Sequence, residues 1–105
     1  MMHLERRYAC SDEEALTRLH ALTDYWRRKH GLSADWTGNA CHVYGKVKGV
    51  KFDARVTVTA GQVRADVDAG FLAEKIGGRK YVEGKLDDYL DPARSLEELR
   101  AKANG

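Results

Sequence analysis

The sequence predicts an α+β fold: a four- to five-stranded, predominantly antiparallel sheet with one face covered by a long N-terminal helix and C-terminal helices. Three observations predict it. Residues 12–30 carry apolar side chains at helical spacing between an acidic start and a basic end. Residues 40–69 alternate between apolar and polar, with glycines at the expected turns. Residues 81–90 return to the helical period. A chain of 105 residues has room for one core. We read 1–92 as a single α+β domain and 93–105 as a short helix with a tail frayed from Ala101 onward.

The first strand is read from Met2 to Tyr8. Met2, Leu4 and Tyr8 share one face and His3, Glu5 and Arg7 the other, with Arg6 interrupting the apolar side. Ser11 then caps a helix, and Glu14 three residues on completes a capping box. Asp12, Glu13 and Glu14 open this helix and Arg27, Arg28, Lys29 and His30 close it, both signs matching the helix dipole. Ala15, Leu16, Leu19, Leu22 and Trp26 form its core stripe. Gly31 is the left-handed terminator, with Leu32 folding back as its apolar partner.

Ala34 and Trp36 start a short strand that turns at Gly38-Asn39. Cys41, Val43, Gly45 and Val47 follow on the inner face, then Val50, Phe52, Ala54, Val56 and Val58, then Val63, Ala65, Val67 and Ala69. Two-residue loops at 48–49 and 60–61 fix the register. The first pairs Val47 with Val50, Phe52 with Gly45, Val43 with Ala54, and Cys41 with Val56. The second pairs Val58 with Val63, Val56 with Ala65, Ala54 with Val67, and Arg55 with Asp66. A slip of one residue would turn the charges into the core. Phe52 is expected to lay its ring over Gly45. The other face is charged with alternating sign, as one wet sheet face requires.

Residues 71–76 are read as one or two helical turns, interrupted by Gly77-Gly78. Tyr81, Val82, Leu86, Tyr89 and Leu90 then form a helical stripe that ends at Asp91-Pro92. Ser95 with Glu98 caps a last helix carrying Leu96 and Leu99.

Chemistry is sparse. A net charge of +2, from 18 Lys and Arg against 16 Asp and Glu, makes no case for nucleic acid. No apolar run approaches a membrane span, and the charged N-terminus is not followed by a signal-like stretch, so a cytoplasmic location is expected. Cys10 and Cys41 lack a CxxC pattern and are read as small, partly buried apolar residues. There is no nucleophile elbow, phosphate loop, HExxH or dinucleotide fingerprint. His3, His20, His30 and His42 are scattered, and Asp87, Asp88 and Asp91 read as a solvated helix face. No enzyme activity, cofactor or metal is expected. Arg27, Arg28 and Lys29 could merge with Lys46, Lys48 and Lys51 into an anion-binding patch. Phe71, Leu72 and Ile76, beside a glycine pair, are either core or an exposed apolar patch for an oligomer contact or a hydrophobic surface.

Several local strings resemble a known family. They are His30-Gly31-Leu32, Asp35-Trp36 with the Gly38-Asn39 turn, Asp68-Ala69-Gly70-Phe71-Leu72-Ala73, and Leu86-Asp87-Asp88-Tyr89-Leu90-Asp91. Together with the meander they resemble the polyhydroxyalkanoic acid system family, small bacterial proteins also called polyhydroxyalkanoate granule regulatory-region proteins. The resemblance covers roughly residues 3–91; Gly77-Gly78 and the Ala93–Gly105 tail depart from it. It implies a granule-associated or regulatory role and carries over no catalytic residues. The partner it implies is the hydrophobic granule surface or another granule protein, with a homo-oligomer also open. Phe71, Leu72 and Ile76 are then the candidate binding residues, with Tyr81 and Tyr89 as amphipathic flanks. The alternative is a small acyl-ligand carrier with a pocket between Trp26, Trp36, Phe52 and the C-terminal helix.

Overall fold

A computed structural model gives the fold and describes residues 2–47, 49–59, 61–68, 79–91 and 93–104. The elements are β1 (Met2–Arg7), α1 (Asp12–His30), β2 (Ser33–Thr37), β3 (Ala40–Val47), β4 (Val50–Thr59), β5 (Gln62–Asp68), α2 (Arg79–Leu90) and α3 (Leu96–Asn104). The strands form one antiparallel sheet in the order β1-β5-β4-β3-β2. The class is the α+β arrangement that the sequence predicts, with five strands and, among the described residues, three helices. The segment 71–76, expected to be helical, lies outside the described residues.

Local chemistry explains the helix ends. The Glu14 amide donates to the Ser11 hydroxyl at 3.1 Å, and the Glu98 amide to the Ser95 hydroxyl at the same distance. Gly31 adopts φ 68° and its N–H reaches the Arg27 carbonyl, which stops α1. α3 runs to Asn104, beyond the fraying point expected at Ala101, and packs along α1 with Leu99 fully buried.

The meander has the predicted register throughout: Val47 pairs with Val50, Phe52 with Gly45, Cys41 with Val56, Val58 with Val63 and Arg55 with Asp66. Its inner face packs under α1 and α2. Leu4, Val43, Val56, Val63 and Val67 meet Leu19, Leu22, Trp26, Val82 and Leu86 in one core. Two inner-face expectations change. Val50 is 40% exposed, at the first position after the β3–β4 turn. The nearest side-chain atom to Gly45 belongs to Leu32, not Phe52: a Cβ on Gly45, whose φ is 145°, would lie 3.1 Å from Leu32 Cδ2. Phe52 turns its ring to the edge of Trp26 instead. The slot that glycine leaves open therefore seats the residue that folds back from the end of α1.

Two arginines on apolar faces have structural work. Arg6 reaches out of β1 to Asp87 at 2.8 Å and to Glu83, tying the sheet edge to α2. Arg18 is only 5% exposed. Its guanidinium donates to the carbonyls of Tyr89, Asp91 and Arg94 at 3.1, 3.2 and 2.8 Å. These oxygens sit at the end of α2 and in the turn before α3, where helix carbonyls lack intrahelical donors.

Two expected outcomes follow from this packing. Arg18→Met should lower unfolding stability by ~2–4 kcal/mol in urea denaturation, because it strands buried carbonyls, and Arg18→Lys should recover part of it. A loss below ~0.5 kcal/mol would show that the corner holds itself. Burial pushes the Cys41 thiol up to about 11, whereas Cys10 is only half-buried. Ellman's reagent at pH 8 should modify Cys10 first in the native protein and both thiols equally after denaturation.

Candidate functional site

The C-terminal half of α1 and the exposed start of α2 build an aromatic cluster. On α2, Tyr81, Lys85 and Tyr89 recur at four-residue spacing. On α1, Tyr25, Trp26 and His30 face them. The Trp26 indole N–H donates to the Tyr81 hydroxyl at 3.2 Å, and that hydroxyl lies 3.1 Å from His30 Nε2. A phenol that accepts from tryptophan still has its own proton to give to a neutral imidazole. Burial pushes the Tyr81 phenol up, against the opposing effect of the Trp26 hydrogen bond. Even so, Tyr81 is 42% exposed: its hydroxyl is fixed inward and part of its ring faces solvent. The Lys85 ammonium lies 4.3 Å from the centre of the Tyr25 ring and 5.9 Å from that of Tyr81.

The predicted site residues separate. Tyr81 is at the surface as expected. Tyr89, expected as an amphipathic flank, is fully buried. Its position explains this: it follows Val82 by seven residues and Leu86 by three, on the core stripe of α2. Its ring lies 6.4 Å from that of Tyr25, its hydroxyl has no hydrogen-bond partner among the described residues, and burial raises the phenol to about 12. Phe71, Leu72 and Ile76 lie outside the described residues. Tyr25, His30 and Lys85 join the site without having been predicted as binding residues; Lys85, four residues after Tyr81, was the readable signal.

The other candidates have local partners. His3 pairs with Asp66 and His42 with Asp53 on the open sheet face, and His20 stacks on Trp36 at 4.0 Å. In the acidic cluster, Asp87 meets Arg6, Asp88 lies 3.5 Å from Arg94, and Asp91 accepts from the Ala93 amide. Among the described residues no group of three or more His, Cys, Asp or Glu is placed to hold a metal ion. Arg27 and Arg28 both bind Asp24. The three rings expected to line an acyl pocket with the C-terminal helix have different neighbours among the described residues. Trp26 and Phe52 pack on each other with centroids 6.1 Å apart, while Trp36 turns to His20 and Thr23.

The fold and cluster can be set beside known families. The model of the polyhydroxyalkanoic acid system proteins (PHA_gran_rgn) matches residues 2–93. The chain belongs to this family. The match takes in the whole sheet, α1 and α2, and stops short of α3. The protein is thus a polyhydroxyalkanoate-related one, and the Arg6–α2 and Tyr81–α1 contacts both lie within the family region. No curated protein and no solved structure matches the chain significantly. Among the described residues no helix is long and apolar enough to cross a membrane.

The buried Tyr89 hydroxyl gives a clear expectation. Removing an unpartnered buried hydroxyl costs no hydrogen bond, so Tyr89→Phe should be neutral or stabilising by up to ~1 kcal/mol at pH 7. The raised phenol also sets the alkaline limb. Between pH 10.0, where the unfolded phenol ionises, and about 12, where the folded one does, stability should fall as pH rises. Urea denaturation at pH 7 and pH 11 should show a smaller drop in the variant than in the parent.

Proposed function

We propose that the protein is a non-enzymatic binding or regulatory component of polyhydroxyalkanoate storage. It acts in the cytoplasm and meets the polyester granule surface, or another granule protein, through an apolar surface. The observation that carries this reading is the exposed Tyr81 ring, whose hydroxyl is held by Trp26 and His30. A ring fixed by its polar end and open along its apolar edge suits a boundary between water and a hydrophobic phase. Phe71, Leu72 and Ile76, which precede α2 in the chain, are the apolar residues that this reading assigns to such a surface. Lys85 beside the ring adds a cation. Family membership supports the setting, and the local pairing of the four histidines and the acidic cluster favours binding over catalysis.

Co-sedimentation with purified polyhydroxybutyrate granules tests the reading. Parent protein should partition with the granules, and Leu72→Asp and Tyr81→Ser should each weaken partition about tenfold, the equivalent of one lost apolar side-chain contact. Tyr81→Phe, which keeps the ring, should bind nearly as well as the parent. Equal partition of all four proteins would remove the site, and no binding by the parent would remove the granule surface as its partner.

A further inference from the structure

Two rings near the surface are held by α1, and their charged neighbours differ. Beside β2, Trp36 lines a cleft of about 150 Å³ with His20, Thr23, Asp24, Arg27 and Ala34. That cleft has a carboxylate and a guanidinium bound to each other, Asp24 and Arg27 at 2.7 Å. The Trp36 ring is stacked on His20, and its indole N–H donates to Thr23 Oγ1 at 3.1 Å. The second ring is Tyr81, 42% exposed where α1 meets α2.

The acids around Tyr81 are engaged elsewhere. α2 has no acidic residue in its first turn. Glu83 and Asp87 reach Arg6 on β1, and Asp88 lies 3.5 Å from Arg94. On α1, Asp24 turns to Arg27 and Arg28. Lys85 is left with rings for neighbours. Its ammonium lies 4.3 Å from the centre of Tyr25 and 5.9 Å from that of Tyr81, and among the described residues no carboxylate pairs with it. An aromatic face attracts a cation without cancelling its charge.

The result is an apolar ring with an unneutralised ammonium beside it. Tyr81 and Lys85 are four residues apart on α2 and so share a face of the helix. Both are already in place: Trp26 and His30 hold the Tyr81 hydroxyl, and Tyr25 supports the ammonium. A neutral ester surface would use the ring alone. An ammonium gains most from an acceptor that is itself charged, because charge-assisted hydrogen bonds are the stronger ones. The complement of this pair is an acyl chain that ends in a carboxylate. A polyester of hydroxy acids carries that group once per chain, at its free acid end.

We propose that Tyr81 and Lys85 together recognise the carboxylate end of a hydroxyalkanoate chain. The ring takes the acyl part and the ammonium takes the carboxylate. This inference rests on the reading of Tyr81 as the ring that meets the polyester, and it names the part of the polymer that is bound.

NMR of the full chain, titrated at neutral pH with β-hydroxydecanoate below its micellar concentration and separately with its methyl ester, tests the proposal. The acid should give a saturable shift of the Lys85 side chain and of the Trp26 indole N–H, which donates to the Tyr81 hydroxyl. The Trp36 indole N–H, held by Thr23, should stay in place. The acid should bind about fivefold more tightly than the ester, as expected of one partly exposed charge pair. Lys85→Met should bind acid and ester equally, Lys85→Arg should keep the preference, and Tyr81→Ser should weaken both ligands alike. Equal response of the parent to acid and ester, a preference that survives Lys85→Met, or shifts centred on Trp36 would overturn the proposal. So would tighter, Lys85-dependent binding to phosphatidylglycerol vesicles, since the occupant would then be a lipid headgroup. If the parent still partitions with granules, each of these failures removes carboxylate recognition and leaves the polyester surface as partner. If it does not partition but keeps the preference for the acid, the granule surface is removed and the carboxylate site stands.

Discussion

The guanidinium of Arg18 is the interaction on which the helical layer depends. α2 stops at Leu90 and α3 starts at Leu96, so the chain turns a corner within five residues. Such a corner leaves helix carbonyls without donors, and in a buried place they cannot turn to water. One side chain from α1 answers three of them, at Tyr89, Asp91 and Arg94. A buried cation is itself costly unless its donors are used. Here the cost is offset by the carbonyls and by the Glu14 carboxylate 3.7 Å away, although Nε has no hydrogen bond among the described residues. Fixing that corner fixes the register of α2 against α1, and with it the height at which Tyr81 meets Trp26 and His30.

Much of this was legible in the sequence, for a physical reason. Alternation with period two and turns of two residues leave one register that keeps the apolar residues on one side, which is why every meander pair could be written down in advance. The caps at Ser11, Gly31 and Ser95 were legible because they depend on a few neighbouring residues. What escaped depends on contacts between elements. Arg18 stands three residues from Ala15 and four from Leu22, a charge on the apolar stripe, but nothing nearby in the chain names the carbonyls it serves. Tyr89 sits on the same stripe as Val82 and Leu86, and its phenol suggested a surface role that the stripe contradicted. Of the candidate site, Tyr81 was readable as amphipathic, while Tyr25 and His30 gained their roles only when α1 and α2 came together.

α2 is a helix with two polar alliances. Glu83 and Asp87, four apart, reach Arg6 on β1. Tyr81 and Lys85, also four apart but offset by two residues, turn to α1. A two-residue offset is more than half a helical turn, so the sets point to different sides of the helix. Between them Val82, Leu86 and Tyr89 are buried. α2 is thus held from both flanks as well as from its buried face. The exposure of Tyr81 is therefore not a loose end of the packing, because its helix has no freedom to roll the ring inward.

The same geometry makes α1 the spine of the molecule. Its 19 residues span ~28 Å, long enough to serve distinct partners along different stripes. Ala15, Leu19, Leu22 and Trp26 belong to the core. Tyr25 and His30 meet α2 near its last turns. His20, Asp24 and Arg27, spaced four and three residues apart, face the cleft beside β2. Trp26 and Thr23 show how one helix supports both regions: the first holds Tyr81 through its indole, and the second holds Trp36 through its hydroxyl. Both contacts come from residues buried on α1, so each surface ring is referred to the core and not to a loop. Both rings are therefore set in position by the core itself, and side chains already in place lower the ordering cost of any binding.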